Sequence, residues 1–528
     1  MPPSSCFDSL PEKVKGNVFP AFAHRASKRC CRRRGCPKRI CPARSVFHYL
    51  AVPRQILVGP RVLFYGLFSL GATGAAGFGC AGPQPAPQKA QEAVLPARFV
   101  AASQALATEI GRAEARHHAW ERLAYLCDTF GPRFSGSQAL EDAITWAIEV
   151  MAQDGLSNVR RQRVMVPKWV RGAERARVVS PRPRELVLLG LGGSVPTPKG
   201  GLTEELVVVK NLDDLAQKGP AVVGKIVLIN QAMPPYDPAT RSAGYGQTVR
   251  IRVRGPSAAA RLGAKALLIR SVTARSLRTP HTGALVYAAD APKIPAAALA
   301  PSDADLLERL ARRGPVRVAL ELESQDMGEA ESANAIAELP GRERPEEVVV
   351  IGGHIDSWDV GQGAHDDGAG VLMAMEAAYL LRTLDLVPRR TVRVVLFTNE
   401  ENGTKGAEAY FAEHGKEKHV AAMEADTGGG APHGFRIGQS EADLAPFLPL
   451  RPLFRPFGAD NVRPGAGGAD IKPLIKAGVL GIDIDNDISH YFDFHHTDAD
   501  TVDQVDPDHL QKNAAAMALM AYILAERD

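Results

Sequence analysis

The sequence predicts an α/β protein: a doubly wound, mostly parallel sheet with helices on both faces, interrupted by a β-rich insert. Three observations predict it. The continuous apolar, β-branched run Val348–Ile351 reads as a strand buried on both faces, and Thr391–Phe397 as another apolar strand. Helical stretches alternate with these runs, as in β–α–β units. Between about residues 185 and 325 the texture changes to short strands rich in Gly and Pro: ELVLLGLGG, ELVVVKN, GKIVLINQ, KALLIRS, KIPAAALA and VRVALELES.

The chain has 528 residues, more than one ordinary domain needs. Its formal charge of +4 is unevenly spread. Residues 1–61 hold thirteen Lys/Arg against two acids, which leaves residues 62–528 with −7. A mildly acidic body argues against a nucleic-acid-binding surface. Six of the seven cysteines precede residue 81, so Cys127 has no partner in the body and reads as core.

Residues 1–94 read as a basic leader, a signal- or lipoprotein-like segment and a linker. The patch KRCCRRRGCPKR at 28–39 has no paired C-x-x-C, so an unstructured leader fits it better than a zinc knuckle. Arg54 and Arg61 then precede the apolar run 62–79, small residues and Cys80, which is the plan of a secretory signal. GPQPAPQKAQ follows, as after the lipidated cysteine of bacterial lipoproteins, although Gly77 stands where a lipobox carries Leu or Val. Export is the expectation, to the periplasm or beyond, with a membrane tether through this segment or a lipid on Cys80.

Residues 95–184 are expected to form the first part of the main α/β domain. Leu95 to Leu126 reads as one or two helices, broken at Phe130-Gly131-Pro132. Ser135-Gly136-Ser137 can cap a helix over Gln138 to Gln153. Strands follow at Val159–Val166 and Arg175–Val179. Residues 185–325 are the insert, with helical segments at Gly255–Leu262 and Ser302–Arg312. Gly190 and Gly192 imitate a dinucleotide loop, but Val195 holds the sixth place of G-x-G-x-x-G, which rejects it.

Residues 326–528 are expected to complete the main domain and to carry its chemistry. The strand at Val348–Ile351 runs into Gly352-Gly353 and His354, at the carboxyl end where open α/β sheets place ligands. Asp366-Asp367 precedes an apolar helix over about Ala369–Leu384. The next strand, Thr391–Phe397, ends in Glu400-Glu401. A helix at Gly406–His414, a strand at Val420–Ala425 ending at Asp426, and a strand at Val479–Ile484 follow. The loop HYFDFHHTDADTVDQVDP and an amphipathic helix from Pro507 to Glu526 close the chain.

Acidic pairs and imidazoles at several strand ends suit a divalent metal of zinc type. The ligand candidates are His354, Asp366, Glu401, Asp426 and His495 or His496. Three carboxylates against two dications leave one positive charge, the condition under which a two-metal site ionises a water near neutral pH. Glu400, adjacent to Glu401 on a strand end, would point to the other side and serve as general base. Each feature has a plainer reading: an acidic pair alone is usually solvated loop charge. Asp483, Asp485 and Asp487 imitate a calcium loop but have Ile488 for its Gly and Phe494 for its Glu. His281 and His365 read as wall residues.

The segments HIDSWDVGQGAHDDGAG, Asn-Glu-Glu after a strand, MEADTG and HHTDADT resemble the co-catalytic zinc exopeptidases of the aminopeptidase clan. Similarity extends from about Ala119 to the C-terminus. The resemblance implies a zinc exopeptidase fold with a protease-associated insert, two Zn2+ per chain, short peptides as substrates, and a homodimer. It implies that Asp366 bridges the metals, with His354 and Asp426 on one and Glu401 and His496 on the other, and Glu400 as base. His496 is selected over His495 because it precedes Thr497 in H-[S/T]-x-x-D-T. Asp356 resembles a carboxylate that orients His354 through its other ring nitrogen. The bond after Asp366 is expected to be cis. Two alternatives remain: hydrolysis of N-acyl amino acids at the same metals, and a metal-free receptor or scaffold on the same fold.

Overall fold

In the computed structural model, which describes residues 95–112 and 116–527, two eight-stranded sheets organise the chain. The leader, the signal-like segment and Cys80 lie outside the described residues. The first sheet runs, in spatial order, Ser157–Val170, Gln325–Leu339, Arg390–Phe397, Arg344–His354, Lys418–Glu424, Leu480–Asn486, Pro432–Ile437 and Asn461–Arg463. The four central strands are parallel, and antiparallel pairings join them to the flanks.

The Arg344–His354 strand shows why this sheet is covered on both faces. Val349 and Ile351 enter one core with the helices Ala97–Ile110, His118–Phe130, Gln138–Gln153, Ala369–Thr383 and Pro507–Glu526. Val348 and Val350 enter another, against Ala407, Tyr410 and Leu474 from the helices Lys405–His414 and Lys472–Lys476. Successive side chains alternate faces, so a continuous apolar run needs a helical layer on each side. Ser137 caps its helix by accepting from the Leu140 amide, and Asp506 does the same for the last helix from His509.

That last helix departs from expectation. Pro507–Glu526 is buried on almost every side from Leu510 onward rather than amphipathic. Its alanines allow close packing against the Ala369–Thr383 helix, so it fills the core instead of covering it.

The second sheet runs Arg184–Leu186, Glu174–Ser180, Arg317–Leu322, Leu202–Val209, Ile226–Ile229, Ala266–Arg270, Ala296–Leu299 and Leu188–Gly190. Its presence corrects the expected boundary at 184/185. Glu174–Ser180 pairs with Arg317–Leu322 and so belongs to this second sheet. The pairing partner decides which sheet a strand joins, and that partner lies about 140 residues away. A second departure concerns Arg250–Arg261, which is one helix beginning before Gly255. Arg171 pins the two sheets together: it grips Asp359 with Nε and Nη2 at 2.9 and 2.6 Å and donates to the Gly190 carbonyl at 2.6 Å.

Candidate metal centre

Register brings the site together. His354 pairs with Phe397, Gly352 with Glu424, and Glu424 with Asp483, so the carboxyl ends of the parallel strands finish level. His354 is the last residue of its strand, and Asp426 lies two residues beyond Glu424. Gly353 is glycine for a local reason: a Cβ there would stand 2.4 Å from Asp367 Oδ2. Asp367 Oδ2 accepts the His354 amide at 3.0 Å and Oδ1 the Gly370 amide at 3.1 Å, which ties the loop to the helix start. The Asp366-Asp367 bond is cis.

Asp366 stands at the centre. Its Oδ1 is 3.4 Å from His354 Nε2, which is also 3.4 Å from Asp426 Oδ1. Its Oδ2 is 3.1 Å from His496 Nε2, which lies 3.2 Å from Glu401 Oε2. His495 stacks on His496 at 3.5 Å and comes within 3.5 Å of Asp366. His496 therefore meets two carboxylates, while His495 meets Asp366. Other groupings within metal-binding reach are Asp366 with both histidines, and His354 with Asp367 and Asp426.

Two expectations of local geometry are corrected. The strand Arg390–Phe397 ends before Glu400-Glu401, which sit in a turn entered through Asn399 at φ +66°. Strand alternation therefore does not separate them; the turn directs both into one cavity of about 350 Å³. The Asp356 carboxylate is not the direct partner of His354. His354 Nδ1 lies 3.0 Å from the Asp356 carbonyl and 3.8 Å from its carboxylate. That carboxylate instead accepts the amides of Glu400 and Glu401 at 3.0 and 3.3 Å.

Electrostatics shows that the cluster calls for cations. Burial, then the charge of Asp366, push Glu401 up to about 7. Burial lowers His496, but Glu401 and Asp366 outweigh it and raise the imidazole to about 9. Burial disfavours the Asp366 carboxylate, yet His495, His354 and His496 hold it well below the usual range. So many buried carboxylates need positive charge among them. Glu401 Oε1 and Asp366 Oδ2 are buried with no hydrogen bond of acceptable geometry, leaving lone pairs free for a metal. Carboxylate and imidazole donors of this kind fit zinc.

Supporting residues escaped the sequence reading. Asp500 accepts the His365 amide at 2.8 Å and the Asp366 amide at 3.2 Å, which positions the central carboxylate. It lies in the quoted HHTDADT, the signal that could have found it. Arg133, fully buried, donates to the carbonyls of Ile355, Gln362 and Gly363 at 2.9, 2.7 and 2.9 Å and shapes the loop after His354. His365 is a wall residue: Nδ1 accepts the Gly429 amide at 3.1 Å and the ring stacks on Phe494. His281 is likewise a wall residue, with Nδ1 2.8 Å from the His495 carbonyl. Cys127 is buried core.

Such a sheet, with carboxylates and imidazoles converging on its strand ends, defines a metal-dependent hydrolase of α/β type. The model of Peptidase family M28 matches residues 334–521. Carboxypeptidase Q of Mus musculus is 41% identical over 416 residues, covering 78% of this chain and 87% of its own. Human carboxypeptidase Q is 39% identical, covering 79% and 87%. The solved peptidase M28 precursor of Shewanella amazonensis superposes with a TM-score of 0.77 at 36% identity, covering 81% of this chain and 97% of that one. A zinc aminopeptidase of Bacillus subtilis shares the fold, at TM-score 0.57 and 20% identity. The chain belongs to peptidase family M28 and is similar to carboxypeptidase Q; it is a peptide-bond hydrolase.

Proposed function

We propose that this zinc-dependent exopeptidase would hold two zinc ions, one on His354 and Asp426 and the other on Glu401 and His496, with Asp366 shared between the two sites. The observation that carries the reading is that the two oxygens of Asp366 face different imidazoles, Oδ1 toward His354 and Oδ2 toward His496. Bound zinc supplies Lewis acidity that polarises the scissile carbonyl and lowers the pKa of water.

The protein groups do the rest. Glu400 accepts a proton from the attacking water at its side-chain carboxylate and returns it to the leaving amine nitrogen. Burial first, then the charges of Asp426 and Glu401, push its carboxyl well above the usual range against the pull of His354, and cations at the neighbouring donors would draw it back toward the ionised form a base needs. Asp356 fixes the turn that carries Glu400, and Asp500 fixes the backbone of Asp366.

The substrates are short peptides, and similarity to enzymes named carboxypeptidase Q supports removal of a carboxy-terminal residue. The second sheet, from Glu174 to Leu322, is read as a protease-associated insert bordering the cleft. Export through residues 52–80, a tether at Cys80 and a homodimer belong to the same reading. Mass spectrometry of the mature N-terminus and sedimentation test them. No helix among the described residues is long and apolar enough to cross a membrane.

The deciding experiment combines zinc content with a panel of free, N-blocked and C-blocked dipeptides, assayed with and without chelator. Two zinc per chain and chelator-sensitive cleavage of free dipeptides are expected. One zinc per chain, or cleavage indifferent to chelator, would overturn the bridging role of Asp366.

A further inference from the structure

The second sheet's unit grips the backbone of one proposed metal ligand. His354, Glu401 and Asp426 each follow a strand of the first sheet within a few residues, and Asp500 fixes the backbone of Asp366. His496 has no strand leading into it. It sits in the loop between the short helices Tyr491–Phe494 and Val502–Gln504, with φ +62°, a region that residues carrying a Cβ seldom adopt.

His281 and Thr282 meet this loop from the second sheet's unit. The Thr282 amide donates to the His496 carbonyl at 3.0 Å, and His281 Nδ1 lies 2.8 Å from the His495 carbonyl. A carbonyl only accepts, so this Nδ1 carries the hydrogen. The Thr282 carbonyl in turn lies 3.3 Å from His496 Nδ1. The other neighbour of that nitrogen is Arg252 Nη1, also at 3.3 Å, which the helix Arg250–Arg261 places in the same cavity. A guanidinium offers only donors, so of these two neighbours the Thr282 carbonyl is the acceptor for an Nδ1–H.

The gripping pair is itself anchored. The His281 amide donates to Ser271 Oγ at 2.8 Å, and that hydroxyl donates to the Leu299 carbonyl at 2.7 Å. Thr282 Oγ1 donates to the Gly190 carbonyl at 2.7 Å. Ser271 follows the strand Ala266–Arg270, while Leu299 and Gly190 end strands of their own, so the pair hangs on the second sheet. His281 and Thr282 are 3% and 1% exposed, where water does not replace a lost hydrogen bond.

We propose that His281 and Thr282 are positioning residues for His496: they hold its peptide in the left-handed conformation and its ring with the hydrogen on Nδ1, which leaves Nε2 free for a metal. The inference deepens the ligand set proposed above and rests on it. His496 Nε2 lies 3.1 Å from Asp366 Oδ2 and 3.2 Å from Glu401 Oε2, on the side where that lone pair is needed. A ligating imidazole is neutral, and an acceptor at its other nitrogen fixes both tautomer and ring orientation. The donor set is then completed only where the second sheet's unit docks on the first.

The test counts zinc per chain, and its release to a chromogenic chelator, in zinc-loaded His281→Phe, His281→Asn and His496→Ala. His281→Phe deletes the donor and keeps a flat ring. It is expected to weaken one of the two zincs about 10- to 100-fold and to leave the other unchanged. His281→Asn puts an amide N–H near the place of Nδ1 and is expected to restore wild-type release. Equal weakening of both zincs, wild-type release from His281→Phe, or no recovery in His281→Asn would overturn the proposal. Where His281→Phe does not fold, Thr282→Val frees the loop from Gly190, keeps the backbone groups, and is read by the same outcomes. His496→Ala separates the premises. Two tightly held zincs in that variant would strike the ligand set. Loss of one there, with wild-type release from His281→Phe, would strike the positioning role alone.

Discussion

The Asp356 carboxylate accepts the Glu400 amide at 3.0 Å, and with its other oxygen it accepts the Glu401 amide at 3.3 Å. One buried side chain, two residues beyond His354, thus fixes the turn carrying both a proposed metal ligand and the proposed base. Asp356→Asn replaces one acceptor by a donor that faces an N–H. Supporting groups of this kind typically contribute 10- to 100-fold to metal affinity or activity. The variant is expected to lose kcat in that range with a small change in KM, and zinc competition assays will show weakened retention.

Glu400→Gln tests the base directly. The amide keeps the shape and leaves the ligand set intact, so zinc content stays at the wild-type level. Turnover is expected to fall about 10²–10⁴-fold. Wild-type turnover in the variant would remove Glu400 from the mechanism.

Asp366→Asn should separate metal binding from folding. A ligand that binds only the folded state stabilises it in proportion to its concentration over Kd, about 2.7 kcal/mol at 100 Kd. Wild-type protein is therefore expected to melt lower after chelation and to recover with zinc. The variant should melt at one temperature with or without zinc.

Glu347 offers a pH test remote from the metals, at the opposite end of the central strand. It pairs with Lys418 at 2.6 Å and with Arg390 from the two neighbouring strands. Hydrogen bonds from Lys418 and Arg390 hold its carboxyl down at about 2, against an ordinary value of 4.5. A depressed folded-state pKa contributes stability above the unfolded value and loses it as pH falls through the folded one. The urea midpoint of the wild type should exceed that of Glu347→Gln near neutrality, and the gap should close between about pH 4.5 and pH 2.

The parallel core and the candidate metal donors were legible because each leaves a local mark. Val348–Ile351 is apolar without alternation, His354, Glu400-Glu401 and Asp426 lie within a few residues of such strands, and Asp366-Asp367 stands just before an apolar helix. Arg252 left no such mark. Arg250-Ile251-Arg252-Val253-Arg254 alternates with period two, the pattern of a strand, yet it is helical and buries both Ile251 and Arg252. Glu174–Ser180 failed for a related reason: its residues fit a strand in either sheet, and pairing with Arg317–Leu322 decided the matter.

Residue order alone determined that apolar strands lead into side chains with metal-donor chemistry, because burial on two faces and donor chemistry are properties of short segments. Tertiary structure alone decided which oxygen of Asp366 faces which imidazole, that the Asp356 carboxylate serves two backbone amides while its carbonyl faces His354, and that Arg252 reaches the cavity of the candidate metal centre. Those relations depend on register, turn direction and the docking of one sheet's unit on the other. Their energies arise between residues far apart in the chain, where no local pattern records them.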